Sequence, residues 1–116
     1  MFLNLKHKTL HVYLAVRELT QEVYKISELL PVSERFNMVQ QIRRAALSVK
    51  LNLAEGSTRR SELERKRYIE IARGSVVELD AALETAIDLN YFKTEQLTKI
   101  GELLNKCFAM LTKMLS

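Results

Sequence analysis

Apolar residues along this chain recur at alternating intervals of four and three. After Val12 they fall at Val16, Leu19, Val23, Ile26 and Leu30, which keeps one stripe of a helix turned toward a partner. Pro31 ends that stripe, and Ser33 is placed to cap a second helix with Val39, Ile42, Ala46, Val49 and Leu53 on its inner face. Gly56 then reads as the residue that turns left-handed past the helix end. Ser61 and Glu64 form an S-x-x-E capping box, opening a third helix with Tyr68, Ala72, Ser75, Leu79, Ala82, Ala86 and Leu89 in register. Thr94 reads as the cap of a fourth, which carries Leu97, Ile100, Leu104, Cys107, Leu111 and Met114.

The pattern predicts helices over about 9–30, 33–56, 61–90 and 94–115 and no strand. Links of a few residues reach only the adjacent helix end. The expected fold is therefore all-α, an antiparallel up-down-up-down four-helix bundle forming one domain over residues 1–116. Composition agrees, because only three Gly and one Pro interrupt 116 residues that are 47% hydrophobic.

Some apolar residues exceed what one bundle face needs. Leu47 and Leu51 sit roughly opposite the Ile42/Val49 stripe, and Ile69, Val76, Leu83 and Ile87 widen the apolar arc of the third helix. They are either tolerated surface residues or contacts between copies in a homo-oligomer, and Leu47, Leu51, Ile69 and Val76 are the candidates for the second role.

Charge divides the chain. From Arg43 to Arg73 nine cations (Arg43, Arg44, Lys50, Arg59, Arg60, Arg65, Lys66, Arg67, Arg73) face four acids (Glu55, Glu62, Glu64, Glu70), a local excess of +5. Between Gly74 and Phe92 there is no Lys or Arg, while Glu78, Asp80, Glu84 and Asp88 give −4. The cations cluster about the tip joining the second and third helices. That is the candidate site for RNA or DNA, since a guanidinium offers phosphate two parallel donors and stays charged. The opposing interpretation is a solvated helical face balanced by its own glutamates. Only Tyr68 lies near the cluster, so a base-stacking platform is not expected.

Small polar residues inside the pattern read as structural. Asn52 and Ser75 are placed to fix register by demanding hydrogen-bond partners, and Gly74 beside Ala72 to let two helices approach. Arg44, Ser48 and Glu55 share another side of the second helix, as an ion-paired ladder would. His7 and His11 are one turn apart, a metal-compatible spacing without a third ligand, and a chance pair is the preferred explanation. Cys107 is the single cysteine, so no internal disulfide or CxxC site forms, which fits a reducing cytoplasm. No signal-like start, bilayer-length apolar run, phosphate loop or catalytic triad stands out. The expectation is a cytoplasmic protein that is not an enzyme, holds no cofactor or metal and does not enter a membrane.

The run Leu30-Pro31, Glu34, Phe36, Gln41-Ile42-Arg43-Arg44-Ala45-Ala46, Ser48, Asn52-Leu53-Ala54-Glu55-Gly56 and Arg59 is followed later by Ile71-Ala72-Arg73-Gly74-Ser75 and Glu78-Leu79. This combination resembles the 23S rRNA intervening-sequence protein family of bacterial four-helix-bundle proteins, over nearly the whole chain. That family is also similar to the accessory variability determinants of diversity-generating retroelements, pentameric barrels that work with a reverse transcriptase and RNA. The resemblance implies a homopentamer, with RNA, DNA, a reverse transcriptase or another nucleoprotein as partner. Arg43, Arg44, Asn52, Glu55, Gly56 and Arg59 match its signature. Lys50-Leu51 departs from the small or proline residues often found there, and the early tryptophan is replaced within Leu10 to Tyr13.

Overall fold

The computed structural model describes residues 1–116, and its helices are α1 (His11–Ser27), α2 (Met38–Ser57), α3 (Glu62–Asp88) and α4 (Thr98–Met114). There is no strand. Each helix packs on its neighbours in the order α1–α2–α3–α4 and back to α1. One hydrophobic cluster joins them, with Val16, Leu19, Ile42, Leu53, Leu79 and Leu111 fully enclosed. These are members of the four-and-three stripes, so burial of one face per helix supplies the main driving force.

Helix boundaries depart from the sequence expectation at identifiable points. A 3-10 turn at Lys6–Thr9 precedes α1, which stops at Ser27 and leaves Glu28 to Leu30 in turns. Helix α2 starts five residues after the expected Ser33, because Pro31 leads into a 3-10 turn at Val32–Glu34. Its first amide is met by Glu34 instead: Oε1 accepts from Met38 N at 3.4 Å and from Asn37 Nδ2 at 3.2 Å. The other carboxylate oxygen accepts from the Tyr91 hydroxyl at 2.8 Å, which ties this turn to the link between α3 and α4. Thr94 likewise opens a 3-10 turn, Thr94–Leu97, rather than capping α4.

Two ends follow their local chemistry closely. Ser61 Oγ accepts from Glu64 N at 3.3 Å, the cap expected for α3. At the other end Asn90 takes φ 63°, and the amides of Tyr91 and Asn90 bond back to Ala86 and Ile87. This is a Schellman ending with Asn in the left-handed position.

Gly56 plays a different part from the one expected. It has no positive φ, lies inside α2 and is buried against α3. A Cβ there would stand 2.6 Å from Tyr68 Cβ and 3.4 Å from the Arg65 carbonyl oxygen. The residue is glycine because two backbones meet closely, not because the chain must reverse. Gly74, expected to allow such an approach, is exposed with open space where its Cβ would be.

Candidate nucleic-acid interface

The α2–α3 hairpin is held by a polar seam and by packing around Tyr68. Ser48 Oγ and Ser75 Oγ are 2.8 Å apart, and Asn52 Nδ2 donates to Ser48 O at 2.9 Å and to Ser48 Oγ at 3.0 Å. Asn52 and Ser75 thus meet their partners across one seam, with Ser48 as the shared link. Ser48 therefore does not join Arg44 and Glu55 in a ladder.

Toward the tip, Arg59 Nη2 donates to Glu55 Oε1 at 2.6 Å and to the Tyr68 hydroxyl at 3.2 Å. The guanidinium carbon is 5.0 Å from the Tyr68 ring centroid, within cation–π range. Its pKa is raised by the hydrogen bond to Tyr68 first and by Glu55 after it, while the buried Nε–H finds no acceptor in the chain. Arg65 Nη1 donates to the carbonyl oxygens of Arg59 and Arg60 at 2.9 and 2.7 Å, holding the connection between the helices.

The nine cations therefore separate by role. Arg43 Nε donates to Ser27 Oγ at 2.7 Å and its Nη2 to Glu28 Oε1 at 2.8 Å, while the guanidinium stacks 5.0 Å from the Tyr24 centroid. That residue fastens α2 to α1. Arg73 reaches α4, with Nη1 3.3 Å from Thr112 Oγ1 and its guanidinium carbon 5.6 Å from the Phe108 centroid. Lys66 pairs with Glu62 at 3.5 Å. Together with Arg59 and Arg65, these five already have partners. Arg44, Lys50, Arg60 and Arg67 have no carboxylate within ion-pair distance and no side-chain hydrogen bond. Arg44, Arg60 and Arg67 are also exposed. Sequence spacing placed all nine on one hairpin but could not distinguish these two groups.

The other expected surface residues divide as well. Leu47 and Leu51 are 38% and 55% exposed, on the outer side of α2 beside Arg44 and Lys50. Ile69 and Val76 are only 4% and 2% exposed. They belong to the core of the single chain, where Ile69 lines a cavity with Met114 and Val76 one with Leu104 and Phe108 of α4, and are corrected from the set of surface contacts. The acids Glu78, Asp80, Glu84 and Asp88 are exposed.

Two other chemical candidates have structural settings. His7 is buried with its ring edge-on to Tyr13, centroids 4.8 Å apart at 78°, and desolvation followed by Lys8 lowers its pKa. His11 is exposed. Cys107 is wholly enclosed, and burial pushes its thiol pKa to about 11. No helix is long and apolar enough to cross a membrane.

A crystal structure of a protein with unknown function from the S23 ribosomal protein family of Bacteroides thetaiotaomicron VPI-5482 has a similar fold. The TM-score is 0.83 at 23% identity, covering 90% of this chain and 98% of that one. Among curated proteins none matches the sequence. The family model for the 23S rRNA-intervening sequence protein matches residues 8–113. With that match spanning both seam helices and the Gly56–Tyr68 contact, the chain belongs to the 23S rRNA-intervening sequence protein family.

Proposed function

We propose that this chain is a non-enzymatic, self-assembling cytoplasmic module that holds a nucleic-acid backbone, RNA or DNA, at the α2–α3 end. The observation that carries this reading is the set of cations without acidic partners, with Arg60 and Arg67 at the tip and Arg44 and Lys50 farther back on α2. Of the nearby acids, Glu55 and Glu62 are occupied by Arg59 and Lys66, while Glu64 and Glu70 lie beyond ion-pair distance of these four cations. Repetition of the tip around a homo-oligomer, a pentamer in the terms of the family resemblance, would multiply a modest local field.

An antiparallel, up-down-up-down arrangement is part of this proposal. It is supported by contacts that pair Ser48 with Ser75 and Gly56 with Tyr68, numbers that converge toward the link between the helices. A reverse transcriptase or similar protein carrying bound RNA or DNA would be a suitable partner, since the nucleic acid it holds presents the same phosphate chemistry. The second reading, a protein-interaction scaffold, is favoured by the exposure of Leu47 and Leu51.

Fluorescence anisotropy with labelled single-stranded RNA and with duplex DNA, across a salt series, tests the proposal. Wild-type binding should weaken linearly on a log–log plot, with a slope of about −0.7 per neutralised phosphate on a single strand. The double variant Arg60→Glu/Arg67→Glu should lose that binding with helicity and oligomeric mass unchanged. Absence of wild-type binding at low salt, or retention of full binding by the variant, refutes the phosphate role and leaves the scaffold reading.

A further inference from the structure

The groove between α3 and α4 is an unusual surface for a chain of net charge +4. Two cavities lie along it, of about 280 and 320 Å³, and both include Asp80 and Leu104 in their walls. The two shared residues make them adjacent, and together they make one trough along the helix pair. Its apolar lining includes Val77, Leu83, Ile100, Leu104 and Phe108, and Asp80 and Glu84 supply its carboxylates. No Lys or Arg lines either cavity, and Arg73 comes near one end, its guanidinium carbon 5.6 Å from the Phe108 ring centroid. Val77 is 53% exposed and Phe108 39%, so the apolar surface is open to a partner.

The outer face of α2 has the complementary form. Leu47 and Leu51 stand one helical turn apart, with Arg44 one turn before Leu47 and Lys50 beside Leu51. Arg44 and Lys50 have no acid within the chain, just as Asp80 and Glu84 have no cation. The segment Arg44 to Ala54 is ~15 Å long and the trough wall from Val76 to Ile87 is ~16 Å, each at 1.5 Å per residue. An amphipathic helix laid into an apolar groove is a recurrent mode of recognition, with anchors one turn apart giving affinity and flanking charge giving register.

The geometry points to a second copy of this chain as the occupant: α2 of one subunit docks Leu47 and Leu51 in the α3–α4 trough of the next, with Arg44 and Lys50 facing Asp80 and Glu84. Donor and acceptor are different surfaces, so the contact is head-to-tail and closes into a ring or continues as a filament, depending on rotation between subunits. This rests on the self-assembly part of the proposal above and narrows the nucleic-acid part from four cations to two. It assigns Arg44 and Lys50 to the subunit junction and leaves Arg60 and Arg67 for phosphate.

Sedimentation velocity without nucleic acid, at micromolar concentration, tests the docking mode by charge exchange. Arg44→Glu/Lys50→Glu and Asp80→Lys/Glu84→Lys should each lose self-association while keeping wild-type helicity. An equimolar mixture of the two should regain association as pairs, open chains or even-membered rings, because every junction between unlike variants is matched again, whereas a five-membered ring would keep one mismatched junction. A monomeric wild type overturns both self-assembly and this docking mode. An oligomeric wild type with an equally oligomeric Asp80→Lys/Glu84→Lys variant overturns the docking mode alone, as a contact of α2 with itself would leave the trough unused. A mixture in which the two variants form not even a dimer with each other also overturns it. Leu51→Ala checks the apolar anchor without changing charge: loss of association supports it, and retention overturns it.

Discussion

Replacing Gly56 by alanine probes the closest approach of α2 and α3. The new methyl carbon would stand 2.6 Å from Tyr68 Cβ, about 0.8 Å inside the 3.4 Å at which ordinary contact begins. The contact is with a carbon fixed to the neighbouring backbone, so no side-chain rotation relieves it. Overpacking of this kind costs about 1–3 kcal/mol, whereas Ala in place of Gly within a helix returns up to about 1 kcal/mol. The net expectation is a loss of about 1–2 kcal/mol. Urea unfolding at one fixed protein concentration, followed by helical circular dichroism, would show a lower midpoint with an unchanged slope. The background at position 68 makes the reasoning specific. Tyr68→Ala keeps the offending Cβ, so the cost of Gly56→Ala should persist there. Tyr68→Gly removes it, and the cost should largely disappear. A Gly56→Ala protein as stable as wild type, or an equal penalty in the Tyr68→Gly background, would refute the argument.

The seam gives a second measurement. Ser48→Ala should destabilise by about 1–3 kcal/mol by leaving the buried Ser75 hydroxyl without its partner, and Ser48→Ala/Ser75→Ala should cost less than the two single changes summed; strictly additive unfolding energies would contradict the contact. Cys107 gives a third. Its native thiol should react with an aromatic disulfide reagent at mildly alkaline pH only as fast as the core opens, and reaction at the rate of a free thiol would contradict its burial. Its raised pKa, about 11 against a reference of 9.0, also fixes a sign. The contribution is fully present below pH 9, where both states hold the proton. It is lost as pH climbs toward 11, because the unfolded thiol ionises first.

The sequence was most legible where local chemistry and periodicity agreed. Ser61 caps α3 as its S-x-x-E spacing indicated, and Val16, Leu19, Ile42, Leu53 and Leu79 occupy the core their intervals assigned. The start of α2 was not legible because its cap is a glutamate four residues upstream, working from a 3-10 turn and braced by Tyr91 from a distant link. Ile69 and Val76 were misplaced for a related reason. Periodicity shows that a face is apolar, but the identity of its cover depends on where α4 lies. The candidate interface was legible as a cluster of charge only. Arg43 and Arg73 are spent as fasteners to α1 and α4 through Ser27, Glu28, Thr112 and Phe108, residues too far away in sequence for spacing to reveal the pairing.

The two carbonyls gripped by Arg65 matter beyond the connection they close. Fixing a residue's backbone costs roughly 1–2 kcal/mol in conformational entropy, and a floppy bend would incur that loss anew whenever it met something. Here folding has already immobilised the chain at Arg59 and Arg60. A molecule docking as proposed would meet a stiff prow, and the attraction there would go into holding it and not into taming the bend.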